Sequence, residues 1–144
     1  MLDTGVTNIL GEKVLIQFQE ALSGVKVLKV LCIGDFNPLS RASCEFLYVV
    51  HKNLHDYKIV SQSKPTIIVP LFKKKFINES VWESSLCGLA NHRNVDYVID
   101  ARACDEIAII DRLNPDFIFF DRRCPPHGDI DYYIKKMRIK VSKV

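Results

Sequence analysis

The chain alternates between two rhythms of apolar residues. Val27-Leu28-Lys29-Val30-Leu31-Cys32-Ile33 is a nearly continuous aliphatic run bounded ahead by Ser23-Gly24, which predicts a buried strand. Phe117-Ile118-Phe119-Phe120 predicts a second, fully apolar strand, and Asn94 to Asp100 a third. Other stretches keep helical spacing. Ile9, Leu10, Val14, Leu15, Phe18 and Leu22 predict an amphipathic helix from Thr7 to Leu22 that Gly24 is placed to end. A helix is predicted to start at Ser40, its N-cap, and to run to Val50, with a polar connection over Asn53 to Asp56. Phe76 to Leu89 follows with Val81, Trp82, Ser85 and Leu89 on one side. Glu106 to Leu113 is a short helix that Asn114-Pro115 breaks, because a residue before proline disfavours the helical region. Ile130 to Met137 and Arg138 to Val141 predict a last helix and a last strand. Tyr57 to Ser63 reads as a further strand. Lys64 to Pro70 reads as extended but not central, since proline punctuates it near both ends. Strand alternating with helix implies a parallel sheet covered on both faces, an α/β chain.

Between the first strand and its helix lies Gly34-Asp35-Phe36-Asn37-Pro38-Leu39, a turn by composition. That layout puts a helix N-terminus at the carboxyl end of a parallel strand, where anions bind. An ordinary βα unit without a ligand has the same layout.

At 144 residues the chain is long enough to bury the core of one domain. No apolar run approaches the roughly 18 residues of a membrane span, and the start of the chain lacks the pattern of a signal peptide. Five cysteines with no C-x-x-C pair fit reduced thiols and a cytoplasmic setting. A net charge of +3 is too small to argue for nucleic acid, and Lys73-Lys74-Lys75 reads as a solvated turn or a contact for an anionic partner. His51 and His55, at i and i+4, would share a helix face and could approach a metal, but no third ligand lies nearby in sequence, so no metal site is predicted.

Gly34-Asp35-Phe36-Asn37-Pro38-Leu39-Ser40-Arg41-Ala42-Ser43 resembles the G-T-F-D-P-L-H-x-G-H signature of the cytidylyltransferase-like nucleotidyltransferases. Gly34, Phe36, Pro38 and Leu39 match it. Ser40 and Ser43 stand at its two histidines and Ala42 at its glycine. Asn94 to Ile99 resembles the family's V-D-E-V-I strand, and Leu113-Asn114-Pro115-Asp116 resembles its L-x-P-D run before a late strand. The resemblance implies a Rossmann-like parallel sheet over residues 25–144, preceded by an N-terminal helix over 1–24. It also implies nucleotide contacts from Gly34, Asp35, Phe36, Ser40 and Ser43. Lys64 would add one from the lysine-proline loop, and Asp121 one from the acidic position after the late strand. The cofactor it implies is magnesium with CTP or ATP, and members commonly pair as dimers.

Transfer of a nucleotidyl group needs positioned donors and cations on the α-phosphate while pyrophosphate leaves. Serine hydroxyls can donate hydrogen bonds but carry no charge. The family's later R-T-x-G-I-S-T-[ST] loop has no counterpart up to Val144. The expectation is therefore a degenerate domain, impaired in catalysis, that binds a nucleotide or a protein partner. The alternatives are an active cytidylyl- or adenylyltransferase that uses Lys64 or Arg41 in place of the histidines, and a purely structural role.

Overall fold

The computed structural model describes residues 9–10, 27–36, 39–61, 64–72, 78–102, 105–126 and 128–144. In chain order the elements are β1 (Ile9–Leu10), β2 (Val27–Ile33), α1 (Arg41–Ser61), β3 (Lys64–Phe72), α2 (Glu79–Ala90), β4 (Tyr97–Ala101), α3 (Glu106–Leu113), β5 (Phe117–Phe120), α4 (Gly128–Met137) and β6 (Lys140–Lys143). The strands form one sheet in the order β1-β4-β3-β2-β5-β6, with every pairing parallel. The chain steps outward from β2 to β3 and β4, then returns to the other side of β2 for β5 and β6. This is a Rossmann-like α/β fold, and its strand order reverses between β2 and β5.

Period-two alternation sends successive side chains of each strand to opposite faces. Val30 and Cys32 join Ile67, Val69 and Val98 on one face, beneath Phe46, Leu47 and Val50 of α1 and Trp82, Leu86 and Leu89 of α2. Leu31 and Ile33 join Ile68, Ile99, Ile118 and Phe120 on the other, beneath Ile109, Ile110 and Leu113 of α3 and Ile130 and Ile134 of α4. A sheet covered on both faces needs near-continuous apolar strands, which is what β2 and β5 supply.

Two strands begin with the same device. Asp96, just before β4, accepts the Ile67 N–H through Oδ2 at 2.8 Å and donates its own N–H to the Ile67 carbonyl at 2.9 Å. Asp116, just before β5, clasps Lys29 in the same two ways, at 2.8 and 2.9 Å. The N-P-D and N-V-D tripeptides thus dock each incoming strand on its inner neighbour.

Several expectations need correction. α1 runs on to Ser61, so Asn53 to Asp56 is helix and no strand forms over Tyr57 to Ser61. Local β-branched character is a weak prior once a helix is propagating on a packed apolar face. Lys64–Phe72 is an interior strand between β2 and β4. Pro65 and Pro70 lie near its ends, where each forfeits one ladder donor, while Ile67, Ile68 and Val69 between them are fully buried. Ile9–Leu10 is a short edge strand on β4; the rest of the helix expected over Thr7 to Leu22 lies outside the described residues, as does Lys73-Lys74-Lys75. The last strand starts two residues later than expected, because Arg138 closes α4.

That closure carries a prediction. Arg138 has φ 57°, its N–H reaches the Lys135 carbonyl, and the next N–H reaches Ile134, a left-handed C-terminal cap normally filled by glycine. Arg138→Gly is expected to raise stability by about 0.5–1 kcal/mol, since a Cβ in that conformation costs about 1–2 kcal/mol and glycine returns part of it as chain entropy. A shift of the urea midpoint to higher concentration at constant m-value is the readout.

Candidate functional site

Ile33 and Phe120 are register partners at the carboxyl ends of β2 and β5. The residues that follow them, Gly34 and Asp121, therefore leave the sheet side by side, and the Asp121 N–H donates to the Ile33 carbonyl at 3.0 Å. Their contact is close. A Cβ on Gly34 would stand 3.2 Å from the Asp121 Cβ and 3.3 Å from the Phe36 and Phe46 rings. Above this junction opens a crevice of about 160 Å³ lined by Asp35, Ser40, Ser43, Asp121, Arg123 and Cys124. Ligands in open α/β folds bind at this place, outside the carboxyl ends of the strands where their order reverses.

Ser40 caps α1. Its Oγ accepts the Ser43 N–H at 3.2 Å, and its carbonyl accepts the Cys44 N–H at 3.1 Å. Ser43 is buried, and its hydroxyl donates to the Asp35 carbonyl at 2.6 Å. The two serine oxygens lie 2.9 Å apart; with the Ser43 proton committed to Asp35, Ser40 is the donor between them. The pair thus pins the β2–α1 turn onto the first turn of the helix.

Asp121 is a buried carboxylate whose partner is Arg123. Its Oδ1 accepts the Arg123 N–H and Nε–H, and its Oδ2 accepts an Nη2–H at 2.6 Å. The same Nη2 donates to the Ala42 carbonyl at 2.9 Å, tying the loop after β5 to the N-terminus of α1. The Asp121 hydrogen bond raises the Arg123 pKa, so the guanidinium stays charged at the mouth of the crevice, with about half of its side chain in solvent. Burial first, then the Asp121 and Asp35 carboxylates, pushes the Cys124 thiol up, which makes it a poor nucleophile. A wider groove of about 450 Å³ shares Asp121 and Arg123 and runs along Ala42, Glu45, Phe46 and Val49 of α1.

Of the residues singled out in the sequence, Asp35, Ser40, Ser43 and Asp121 line one crevice, and Gly34 packs against Asp121 at the adjoining strand junction. Phe36 contributes backbone to the turn, but its ring is 2% exposed and packs on Phe46 in the core. Lys64 is not brought there: it opens β3 beside Val27, at the amino ends of the strands, roughly 20 Å along the sheet from Gly34. Arg41 is solvent-exposed and pairs with Glu45 at 3.4 Å. Arg123 and Cys124 join the crevice without any motif of their own. Their signal was the run Asp121-Arg122-Arg123-Cys124, legible only once β5 is known to end beside β2.

His51 and His55 do share a face of α1, but among the described residues no group of three metal-ligating side chains assembles there or elsewhere. No helix among the described residues is long and apolar enough to cross a membrane.

Fold and crevice together define a Rossmann-like α/β domain with a polar cleft at its switch point. No protein-family model and no curated protein sequence matches the chain. Among solved structures it is similar to a lipopolysaccharide core biosynthesis protein from Thermoplasma volcanium GSS1, at 18% identity and a TM-score of 0.56, covering 81% of this chain and 93% of that one. A universal stress protein family member from Burkholderia pseudomallei aligns at 11% identity and a TM-score of 0.47, over 84% of this chain and 98% of that one. The first likeness supports the α/β fold.

Proposed function

We propose that the chain is a degenerate cytidylyltransferase-like domain that binds a nucleotide by its phosphates at the crevice and is impaired in nucleotidyl transfer. One observation carries this reading. Where the motif it resembles has two imidazoles, this chain has Ser40 and Ser43, joined to each other and to the Asp35 carbonyl. Neither can supply a positive charge or a proton of suitable acidity to a departing pyrophosphate. Binding has separate support: the N-terminus of α1 and the Arg123 guanidinium both border the crevice, and both favour an anion. The crevice of about 160 Å³ suits a phosphate rather than a whole nucleotide, whose remainder would extend into the groove along α1.

Magnesium would enter with the phosphates, which supply most of its oxygen ligands. The crevice offers Asp35 as a carboxylate besides Asp121. A homodimer remains part of the proposal through family resemblance alone.

The test is a thermal shift and calorimetric titration with CTP and with ATP, each with magnesium, followed by an assay for pyrophosphate release. A ligand bound only by the folded state raises the melting temperature by mass action, by about 2.7 kcal/mol of stability at a hundred times Kd. The expected result is a shift with one nucleotide, reduced in Arg123→Gln, and no pyrophosphate release. Steady release would favour the active-transferase reading. No shift at millimolar concentration with either nucleotide would remove nucleotide binding altogether.

A further inference from the structure

Asp121 and Arg123 are the residues that the crevice and the groove along α1 have in common. Their clasp therefore stands where a ligand seated in one would continue into the other. A guanidinium recognises a phosphate best through a fork of two parallel N–H groups. In Arg123 the Nε–H and one Nη2–H form such a fork, and Asp121 already fills it, at 3.1 Å to Oδ1 and 2.6 Å to Oδ2. The other Nη2–H goes to the Ala42 carbonyl at 2.9 Å.

The loop is folded so that this pair forms within itself. The Arg123 N–H donates to Asp121 Oδ1 at 3.0 Å, and the Cys124 N–H donates to the Asp121 carbonyl at 2.8 Å. This tight turn lays the guanidinium back over the carboxylate two residues before it. The Asp121 side chain is 5% exposed against 55% for Arg123, so water is a poor substitute for the cation on that carboxylate. Asp35 brings a second carboxyl to the same lining, where acidic side chains outnumber the guanidinium.

We infer that Asp121 is a resident competitor for the anion of this crevice, and that a phosphate enters by taking the Arg123 fork from it. The inference rests on the reading of the crevice as a phosphate site and adds what that site admits. Every anion meets the same obstacle, since each exchange leaves Asp121 buried without its cation. A singly charged anion replaces one negative charge with another and gains nothing on the guanidinium. A polyphosphate end brings more charge to Arg123 and to the N-terminus of α1. Asp121 thus sets an affinity threshold that pyrophosphate and nucleoside di- or triphosphate ends can clear and monoanions cannot.

Calorimetric titration of the full chain with inorganic pyrophosphate at fixed ionic strength tests this on the wild type, Asp121→Asn, Arg123→Gln and the double variant. Asp121→Asn is expected to bind pyrophosphate about tenfold or more tightly than the wild type, and Arg123→Gln about tenfold or more weakly. In the Arg123→Gln background the gain from Asp121→Asn should vanish, because there is no fork left to release. A gain that survives in that background would mean general repulsion by Asp121, and would overturn the inference. So would weaker or unchanged binding in Asp121→Asn, which would make Asp121 a positioning residue for Arg123 and leave the phosphate-site reading standing. No binding by either the wild type or Asp121→Asn at about 20 mM pyrophosphate would remove the phosphate site itself, and this inference with it. If Asp121→Asn fails to fold, wild-type spectra decide. Pyrophosphate should then move the Arg123 Nε–H and the Asp121 carboxyl carbon together, and binding that moves neither would show the clasp intact and overturn the exchange.

Discussion

Replacing Phe36 by alanine is expected to destabilise the domain by about 3–5 kcal/mol, the range for an aromatic deleted from a packed core. Phe36 lies in the turn between β2 and α1, yet its ring is 2% exposed and sits 5.9 Å from the Phe46 ring in a tilted pair. Such pairs add about 0.5–1.5 kcal/mol beyond the area they bury. The ring therefore anchors the turn from below. The Asp35 carbonyl that receives the Ser43 hydroxyl belongs to the preceding residue, so a loosened Phe36 also loosens the crevice wall. Urea unfolding of Phe36→Ala and Phe36→Leu separates the two effects. The leucine variant should keep most of the stability, because it preserves much of the volume. A loss below about 1 kcal/mol for the alanine variant would mean that the core does not hold the turn.

Gly34→Ala is expected to cost about 1–3 kcal/mol, the range for overpacking a filled interior. Gly34 is required for space, not for a left-handed backbone. The added methyl would meet the Asp121 Cβ at 3.2 Å and the Phe36 and Phe46 ring edges at 3.3 Å, tighter than ordinary van der Waals contact. The Asp121 side faces a strand junction that cannot give without stretching the bond from the Asp121 N–H to Ile33. The aromatic side can give. In a Phe36→Leu background the cost should consequently shrink, with a coupling of about 0.5–3 kcal/mol between the two positions. Additive effects would show that the strand junction, rather than the ring, sets the limit. Nucleotide shifts measured on the same variants tell whether the crevice closes when Asp121 is pushed aside.

The two substitutions also mark what a linear reading could reach. Buried strands were legible at β2 and β5, where aliphatic and aromatic runs leave no alternative. α3 was legible to the residue from its apolar spacing and the Asn114-Pro115 break, while the side-chain cap that Asp105 gives it is seen only in the structure. Strand existence at β4 followed from Tyr97 to Ile99. The second half of α1 was not legible. Tyr57-Lys58-Ile59-Val60 has strand-like composition, and only the packing of Phe46, Leu47, Val50 and Leu54 on the sheet carries the helix forward. The prolines of β3 point to a peripheral strand. Their placement near the strand ends, with three buried aliphatics between, is a property of register that sequence does not display.

The same division runs through the site. Residues of the β2–α1 turn are close in sequence, so Asp35, Ser40 and Ser43 could be grouped before any fold was known. Asp121 could be added through the motif resemblance. Arg123 could not, because its role depends on a loop from the far side of the strand-order reversal reaching the Ala42 carbonyl. Lys64 shows the converse: adjacent to a motif-like proline in sequence, it is carried by a nine-residue strand to the other end of the sheet. His51 and His55 were paired by helical spacing, but Arg93 and Asn94 meet them only because α2 returns the chain to the amino ends of the strands. By itself, then, the sequence determined the α/β class, the strand–turn–helix unit and the serines at its helix start, all of which rest on local periodicity and capping. The tertiary structure alone decided which loops converge, because a parallel sheet places neighbours by strand order and register, and neither is encoded within any single stretch of the chain.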